Sequence, residues 1–598
     1  MYQYQELSSR DNHIRCLILE PGEDDAPLVG RLEEIELTGA NDLNPFRAIS
    51  YVWGEDNKTQ SITLDGKLLE ITTSLRDSLW QARDAHRAAA LWADGICINQ
   101  DDEKEKSRQV ALMGRIYETS KCTLICLGLN ADDRQHASDV VELVADVEAF
   151  MHEVFEEPEF YDEWDVFPYP FEDDALFSEL SWYSWSLLVQ HPWFRRGLLR
   201  IERFLRRRIR ILKPMLTSMG ISNLHDAPYN DLHSKEARTF IPYHLRHRLE
   251  PMPALEILNR AKRLELGDPK DRIYAFMALR TLDKAMPAVQ PDYGKDVSHL
   301  DVYQDFAIKY LEKTSDLDIL RFVEHEEGES SPSSVAIAGA RVRSIASWVP
   351  HWDCGSFNST WSDASDRKLT EGEDDNSKEY SISTVEGSPI LRVRAIVFDL
   401  VKYVSETIEY HAAVDGREAV TQVVRLWRNL APQLEKYPGP HRGNRGLAFL
   451  VALNMDNGQG DLEEHYRSQC DFARLLESDQ PSCPAHAYLQ DPAARQVSKF
   501  ANYMSSNRRF VLLGRGYNGI APNMAREGDL CAMIFGTRTP FILRMVPGEQ
   551  AQYRVIGSAY VQSKECHLDS ESPCFLSEHE DCDDWKDWGL QTEDITLV

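Results

Sequence analysis

Residues 46–128 alternate between apolar runs and helical stripes, and this restricts the fold more than any other feature of the chain. FRAISYVWG at 46–54, LWADGICI at 91–98 and KCTLICLG at 121–128 are typical of β-strands, and ITLDGKLLEI at 62–71 is typical of a hairpin around an Asp-Gly turn. Apolar residues at helical spacing separate these runs. Strands that are joined through helices pair in parallel with right-handed crossovers. The sequence therefore predicts an α/β fold with a parallel sheet.

Capping-box patterns predict where the two intervening helices begin. Ser74 with Asp77 indicates the first start, and Asp102 with Glu105 indicates the second. Each pattern comes directly before a helical stripe. We therefore expect helices from about these positions to the next apolar run.

The run at 91–98 holds an acidic residue and leads into polar ones. A buried carboxylate is costly unless it is hydrogen-bonded or paired. Because alternation along a strand would point Asp94 inward, we expect it to order loop amides rather than to do chemistry. Asn99 and Gln100 follow, and they suit either ligand contact or loop capping. In open α/β sheets ligands bind at the carboxyl ends of the strands, so this edge is a candidate ligand site.

The run at 46–54 ends in aromatic residues and a glycine. Tyr51 and Trp53 are able either to stack on a ligand base or to pack in the core, and the sequence leaves both roles open. We count the residues at both strand ends as candidate ligand-binding residues, namely Tyr51, Trp53, Gly54, Asp94, Asn99 and Gln100.

Composition excludes several function classes. The chain has 598 residues, a formal net charge of -31 and a pI of about 5.0, and we expect no nucleic-acid binding, which needs an excess of Lys and Arg. No apolar run reaches the roughly 20 residues of a membrane span, and we expect no export signal. Eleven cysteines, an odd number, favour a reduced cytoplasmic protein. No metal site is predicted, because the Cys and His residues at 566–582 lack paired C-x-x-C spacing.

One motif near the C-terminus imitates a dinucleotide fingerprint. Gly514, Gly516 and Gly519 match G-x-G-x-x-G after an apolar strand, but Pro522 and another strand follow instead of a helix. No helix N-terminus is then present to receive a pyrophosphate. We predict that these glycines form tight turns of a small antiparallel β unit.

Three segments resemble the signatures of the fungal heterokaryon incompatibility (HET) domain family. The first signature, Y-x-A-L-S-Y-x-W-G, is present as FRAISYVWG. The second, L-W-I-D-A-x-C-I-N-Q followed by Q-V-x-x-M-x-x-I-Y, is present at 91–100 and 109–117. The third, W-F-R-R-V-W-x-x-Q-E, is partly kept at 193–202, where Leu198 replaces Trp and Ile201 replaces Gln. Segments at 268–279 and 290–307 also look like the family.

The resemblance implies a role in programmed cell death. Members of the family trigger or regulate death when genetically different hyphae fuse, and the domain is thought to be similar to Toll/interleukin-1 receptor (TIR) domains, with a flavodoxin-like sheet. The implied protein is a cytoplasmic signalling protein for nonself recognition that acts through a protein partner or self-association. Because the third signature is altered, a degenerate, non-toxic regulator is an alternative.

The resemblance also implies a possible enzyme. Some TIR-like domains cleave NAD with a glutamate on a helix, and a carboxylate is able to stabilise an oxocarbenium-like centre. Glu202 matches that position as the central carboxylate, and Arg196 joins the ligand-binding candidates. NAD would then be a ligand or substrate, and no cofactor is required. The competing interpretation of Glu202 is an ion pair with Arg206 on an arginine-rich helix.

The chain is too long for a single core, and we predict an α/β fold with five regions. They are a HET domain with a TIR-like, flavodoxin-like parallel sheet at 1–215, a mainly helical region at 216–324, a mixed region with linkers at 325–500, a C-terminal antiparallel β unit at 501–565, and an acidic, mobile tail at 566–598.

Overall fold

The computed structural model describes most of the chain outside its middle. The described ranges are 1–126, 253–325, 345–353, 380–409, 416–434, 443–455, 462–478, 485–562 and 590–598, without 9–11, 24–25, 38–43, 55–56, 263–265, 278–280, 282, 386–387 and 550, together with six isolated positions between 135 and 184. The chain divides into two compact units, Met1–Met252 with Arg263–Leu282 and Ala288–Ser298, and Pro253–Lys262 with Asp283–Pro287 and His299–Val598.

The first unit contains seven described strands and four described helices. The strands are β1 His13–Leu19, β2 Val29–Glu36, β3 Arg47–Tyr51, β4 Gln60–Leu64, β5 Lys67–Ile71, β6 Ala89–Trp92 and β7 Thr123–Cys126. The helices are α1 Thr73–Ala82, α2 Asp94–Cys97 and α3 Glu103–Thr119; further along, α4 Ala254–Ala261 belongs to the second unit and α5 Asp271–Tyr274 to the first.

The seven strands form one mixed sheet in the order β5-β4-β2-β1-β6-β3-β7. β3 pairs in parallel with both β6 and β7, which confirms the parallel arrangement predicted for the three apolar runs. β1 is antiparallel to β2 and to β6. The predicted parallel sheet is therefore confirmed for β3, β6 and β7, whereas β1 and β2, which the sequence did not reveal, add antiparallel pairs. The fold is α/β with a mixed sheet.

Local chemistry explains the turn and the two helix starts. In the β4–β5 hairpin, Asp65 and Gly66 have φ values of 50° and 74°, the combination that a tight two-residue hairpin turn requires. Asp102 caps α3 as predicted, because its side chain accepts from the amides of Lys104 and Glu105. The cap of α1 is Thr72 rather than Ser74, because the Thr72 hydroxyl accepts from a first-turn amide.

The strand predicted at 91–98 is too long. β6 ends at Trp92, and the second half of the run forms the short helix α2. Leu91, Ile96 and Cys97 are all fully buried, so the apolar run continues while the backbone changes direction. A short apolar run does not by itself distinguish a strand from a buried helical turn.

The described part of the second unit contains α4, further helices and the strands of a large sheet. The helices are α6 His299–Thr314, α7 Arg417–Leu430, α8 Arg445–Leu453, α9 Leu462–Glu477 and α10 Pro492–Met504, with 3₁₀ helices at Leu317–Phe322 and Ala485–Gln490. The strands are β8 Tyr380–Val385, β9 Ser388–Ile408, β10 Arg508–Leu513, β11 Asn518–Pro522, β12 Leu530–Ile534, β13 Pro540–Met545, β14 Gln552–Ser558, β15 Tyr560–Val561 and β16 Glu593–Leu597.

Strand pairing in the second unit closes into a ring. β9 pairs with β10, β10 with β11, and β11 with β15, which continues β14 after one residue. β14 pairs with β13, β13 with β12, and β12 returns to β9. The ladders of β9 with β10 and β12 contain register shifts, and such bulges bend a strand. The 21-residue β9 therefore curves around a barrel.

Side chains alternate between the two faces of the barrel wall. Val511 and Leu513 of β10 belong to one buried cluster with Cys531 and Ile542. Phe510 and Leu512 on the opposite face belong to another cluster, together with residues of helices α7, α8 and α10. Period-two alternation places consecutive strand residues on opposite faces. The helices therefore cover one outer face of a barrel that is itself filled by apolar side chains.

The structure confirms the turn prediction for Gly514 and Gly516, and it corrects the predictions for Gly519 and for the tail. Gly514 and Gly516 lie in the turn between antiparallel strands β10 and β11, and Gly519 lies in β11. The last residues do not form a mobile tail throughout: β16 pairs with β9 and with β14. Apolar Ile595 and Leu597 are fully buried, which explains why this end of an acidic segment joins the sheet.

Candidate functional site at the ends of β3 and β6

The predicted site residues lie at the carboxyl ends of two neighbouring parallel strands. Tyr51 is the last residue of β3, and Trp53 and Gly54 follow it in the connecting turn. Asp94 is the first residue of α2, two positions after β6. Because β3 and β6 pair in parallel, their ends meet at the same edge of the sheet. The two signature segments therefore converge in space.

Asp94 connects the two strand ends. Its Oδ2 accepts a hydrogen bond of 2.9 Å from the indole Nε1 of Trp53, and its Oδ1 accepts one of 2.8 Å from the amide of Gly95. The Asp94 side chain is half-buried and begins a helical turn, so the prediction of an inward-pointing strand carboxylate is wrong. Its bond to the amide of Gly95 is the loop-ordering contact that the sequence predicts.

Gly95 allows the two segments to approach each other closely. A Cβ atom at this position would lie 2.5 Å from the Tyr51 hydroxyl and 3.2 Å from Cδ2 of Leu75. The first distance is too short for a carbon and an oxygen that are not bonded. The aromatic end of β3 and the start of α2 therefore pack together only around a glycine.

Asn99 and Gln100 both take part in loop hydrogen bonds. The Asn99 side-chain oxygen accepts from the amide of Asp101 at 3.3 Å, and Gln100 Nε2 donates to the main-chain oxygen of Asp94 at 2.9 Å. Of the two roles that the sequence left open, loop capping is present for both residues. Contact of these side chains with a ligand stays a prediction.

Sequence reasoning missed a buried ion pair behind this loop. Arg15 on β1 and Glu105 in the first turn of α3 have side chains that are 5% and 3% exposed, and both carboxylate oxygens accept from the guanidinium. The sequence indicates only a capping role for Glu105. Its position three residues after Asp102 gave that signal, whereas nothing in the sequence connects it with a residue 90 positions away.

Burial keeps one thiol and one phenol next to the loop neutral. Burial raises the pKa of the Cys97 thiol to about 12, and it also raises the pKa of the Tyr4 hydroxyl. Neither group is ionised at neutral pH. Cys97 is therefore not a ready thiolate nucleophile.

The described residues contain no group of three or more His, Cys, Asp or Glu side chains that is able to hold a metal ion. Arg196, Glu202 and the third signature lie outside the described residues, as do the Cys and His residues at 566–582. Among the described helices, none combines the length and apolar character that crossing a membrane requires.

Two family matches cover part of each sheet. Residues 46–198 match the family Heterokaryon incompatibility protein (HET), and residues 488–567 match the Het-6 beta-barrel domain. The chain is also similar to Heterokaryon incompatibility protein 6, OR allele, of Neurospora crassa, with 22% identity over 667 aligned positions that cover 94% of each protein. No solved structure gave a significant match.

Residues 46–198 therefore belong to a HET domain and residues 488–567 to a Het-6 β-barrel domain, and the chain as a whole resembles a fungal heterokaryon incompatibility protein. The convergent strand ends lie inside the HET match, and strands β10 to β15 lie inside the barrel match. β9, which closes the ring, comes from residues before the barrel match. These similarities support a role in heterokaryon incompatibility.

Proposed function

We propose that this protein signals programmed cell death in heterokaryon incompatibility, and that its HET domain is the signalling part. The observation that carries the proposal is the bond between Trp53 and Asp94, because it unites the first and second family signatures in one cluster. A protein partner, or a second copy of the chain, would start the response. We place this event in the cytoplasm, since the six described cysteines are all free.

A TIR-like fold for the HET domain is part of the proposal. The parallel strands β3, β6 and β7 lie in the order β6-β3-β7, so the first of them is central. Flavodoxin-like sheets begin with the same order, 2-1-3, and bind ligands where the strand order reverses. Tyr51, Trp53 and Gly54 lie at the end of the central strand. This position supports, within the proposal, a ligand site at the cluster.

NAD is the ligand that we propose to test there, while the NAD glycohydrolase alternative has less support. Both carboxylate oxygens of Asp94 already accept hydrogen bonds, so this carboxylate is committed to the loop. The enzyme hypothesis therefore rests on Glu202, which lies outside the described residues. No observation on the described residues favours it over signalling.

Expression in a filamentous fungus tests the proposal. The full chain at high expression should cause hyphal death, and Asp94→Ala should abolish it because the two signatures lose their link. Trp53→Phe should weaken it by removing one donor. Trp80→Phe is the matched control, since Trp80 is also half-buried and its Nε1 has no hydrogen-bond partner among the described residues.

Normal growth with the unmodified chain would overturn the autonomous trigger and favour the non-toxic regulator. NAD should be measured by chromatography in the same cultures. Loss of NAD that requires Glu202, tested with Glu202→Gln, would support the enzyme instead. Constant NAD during hyphal death would support signalling without NAD cleavage.

A further inference from the structure

The buried pair Arg15–Glu105 has features that stability alone does not explain. The guanidinium and the carboxylate are both removed from water, and Nη2 of Arg15 lies 2.8 Å from Oε2 of Glu105. Replacing a buried ion pair by apolar side chains of similar size is often neutral or stabilising. The groups that the two charges contact indicate a second role.

Both members of the pair hold the backbone of the loop that carries Asp94 and Gln100. Arg15 Nη1 donates to the main-chain oxygen of Cys97 at 3.3 Å, and Glu105 Oε1 accepts from the amide of Asn99 at 2.7 Å. Hydrogen bonds to ionised groups are roughly twice as strong as neutral ones. The loop is thus fixed at two points besides the bond between Asp94 and Trp53.

The N-terminal strap, which we define as residues 2–5, adds a third point. The hydroxyl of Tyr4 donates to the main-chain oxygen of Ile96 at 3.0 Å, and the Arg15 guanidinium lies 5.0 Å from the centre of the Tyr4 ring. Arg15 also donates to the main-chain oxygen of Gln5. Positions 96, 97 and 99 of the loop are therefore all bonded to a single buried cluster.

We propose that Arg15, Glu105 and Tyr4 are positioning residues of the HET site, which hold the Asp94–Gln100 loop so that Asp94 meets Trp53. This inference rests on the proposed function of that site. It extends the functional part of the domain upstream of residue 46, where the family match begins. None of the three residues is required to touch a ligand or partner.

The test separates loop position from fold stability in the full chain. Replacing both charges, with Arg15→Met and Glu105→Leu, should leave the thermal unfolding temperature close to that of the unmodified protein. Hydrogen–deuterium exchange of the Asp94–Gln100 peptide should nevertheless rise by about 10- to 100-fold, as expected when a charged hydrogen bond is lost. Hyphal death should be lost in the same variant.

The chain offers a matched control pair in its second unit. Arg544 donates to both carboxylate oxygens of Asp529, and Asp529 also accepts a hydrogen bond from the main-chain amide of Arg526. The pair therefore has the same bonding pattern as Arg15–Glu105. Arg544→Met with Asp529→Leu should leave exchange at Asp94–Gln100 and hyphal death unchanged. If the Arg15 and Glu105 double variant does not fold, Arg15→Lys replaces it, because lysine keeps the charge but lacks the fork that reaches Cys97.

The outcomes are distinct. Unchanged exchange in the loop would overturn the positioning role, and so would raised exchange with full hyphal death. If the unmodified chain does not kill hyphae, the proposed function fails by itself, and the exchange measurement alone decides whether the cluster positions the loop.

Discussion

The sheets of the two units differ in whether they have edge strands. In the described residues, the sheet of the first unit is open, with β5 and β7 at its edges, and it places polar side chains where β3 and β6 stop. The barrel of the second unit returns to its starting strand, and full closure removes the edges of a sheet. An open sheet offers strand ends and loops to a partner, whereas a filled barrel offers mainly its outer wall.

The same kind of ion pair therefore serves different purposes in the two units. Arg544–Asp529 connects strand β13 with the turn before β12, so its bonds stay within the barrel wall. Arg15–Glu105 connects β1 and α3 with the loop that carries a family signature. Position in the fold, rather than the chemistry of the pair, decides whether a buried charge acts on a site.

The largest expected effect concerns the barrel wall. Phe510 is fully buried, and its ring centre lies 5.4 Å from that of Phe449 on α8. Phe510→Ala should lower the free energy of unfolding by about 3–5 kcal/mol through lost burial and a cavity. Urea denaturation measures the loss. Met545→Ala, at a barrel side chain that is 54% exposed, should change it by less than about 0.5 kcal/mol, and similar losses in both variants would contradict a packed wall.

A smaller effect is expected at the close contact between Gly95 and the end of β3. Gly95→Ala should destabilise the first unit by about 1–3 kcal/mol, because the new methyl group would meet the Tyr51 hydroxyl. Adding Tyr51→Phe should recover part of this loss, since the next ring atom, Cζ, lies 3.8 Å from the added Cβ. The four proteins form a double-mutant cycle. Strictly additive losses would show that the clash is not the cause.

Replacing a turn glycine should lower the free energy of unfolding by the same amount in both sheets. Gly66 and Gly528 have φ values of +74° and +92°, and nothing lies within 4 Å of a Cβ added at either. Alanine at each position should lower the free energy of unfolding by about 1–2 kcal/mol through backbone strain alone. Denaturation of the two variants compares them directly. A much larger cost in the barrel would show that closure depends on this turn.

Much of the first sheet was predictable because its signals are local. The β4–β5 hairpin follows from an Asp-Gly pair, and the cap of α3 follows from Asp102 at the start of a helical stripe. The convergence of Trp53 and Asp94 follows from parallel pairing, which places the carboxyl ends of β3 and β6 at one edge. Fold class and the location of the candidate site therefore required no long-range information.

The remaining features depend on contacts between distant residues. After β6 ends at Trp92, Gly95 packs against Tyr51 of a distant strand, a contact that an apolar run does not reveal. Arg15 and Glu105 are individually ordinary, and only the antiparallel pairing of β1 with β6 brings them together. Likewise, β9 closes the barrel from a region that the sequence suggested was mixed, because ring closure is a property of several strands at once.

The smallest expected effect needs no substitution. It concerns how readily each sheet unfolds locally. Cys97 lies in the four-residue helix α2 and Cys531 lies in the barrel, and both are fully buried. Burial raises the pKa of Cys97 to about 12 and that of Cys531 well above its usual value, so neither is a thiolate at pH 8 while folded. Alkylation of either thiol then requires local unfolding, and a short loop unfolds locally more readily than the strands of a closed barrel. Peptide mass spectrometry should find exposed Cys122 modified first, Cys97 next and Cys531 last. Modification of Cys531 before Cys97 would reverse the comparison, since the loop held by Arg15 and Glu105 would then be the more rigid of the two regions.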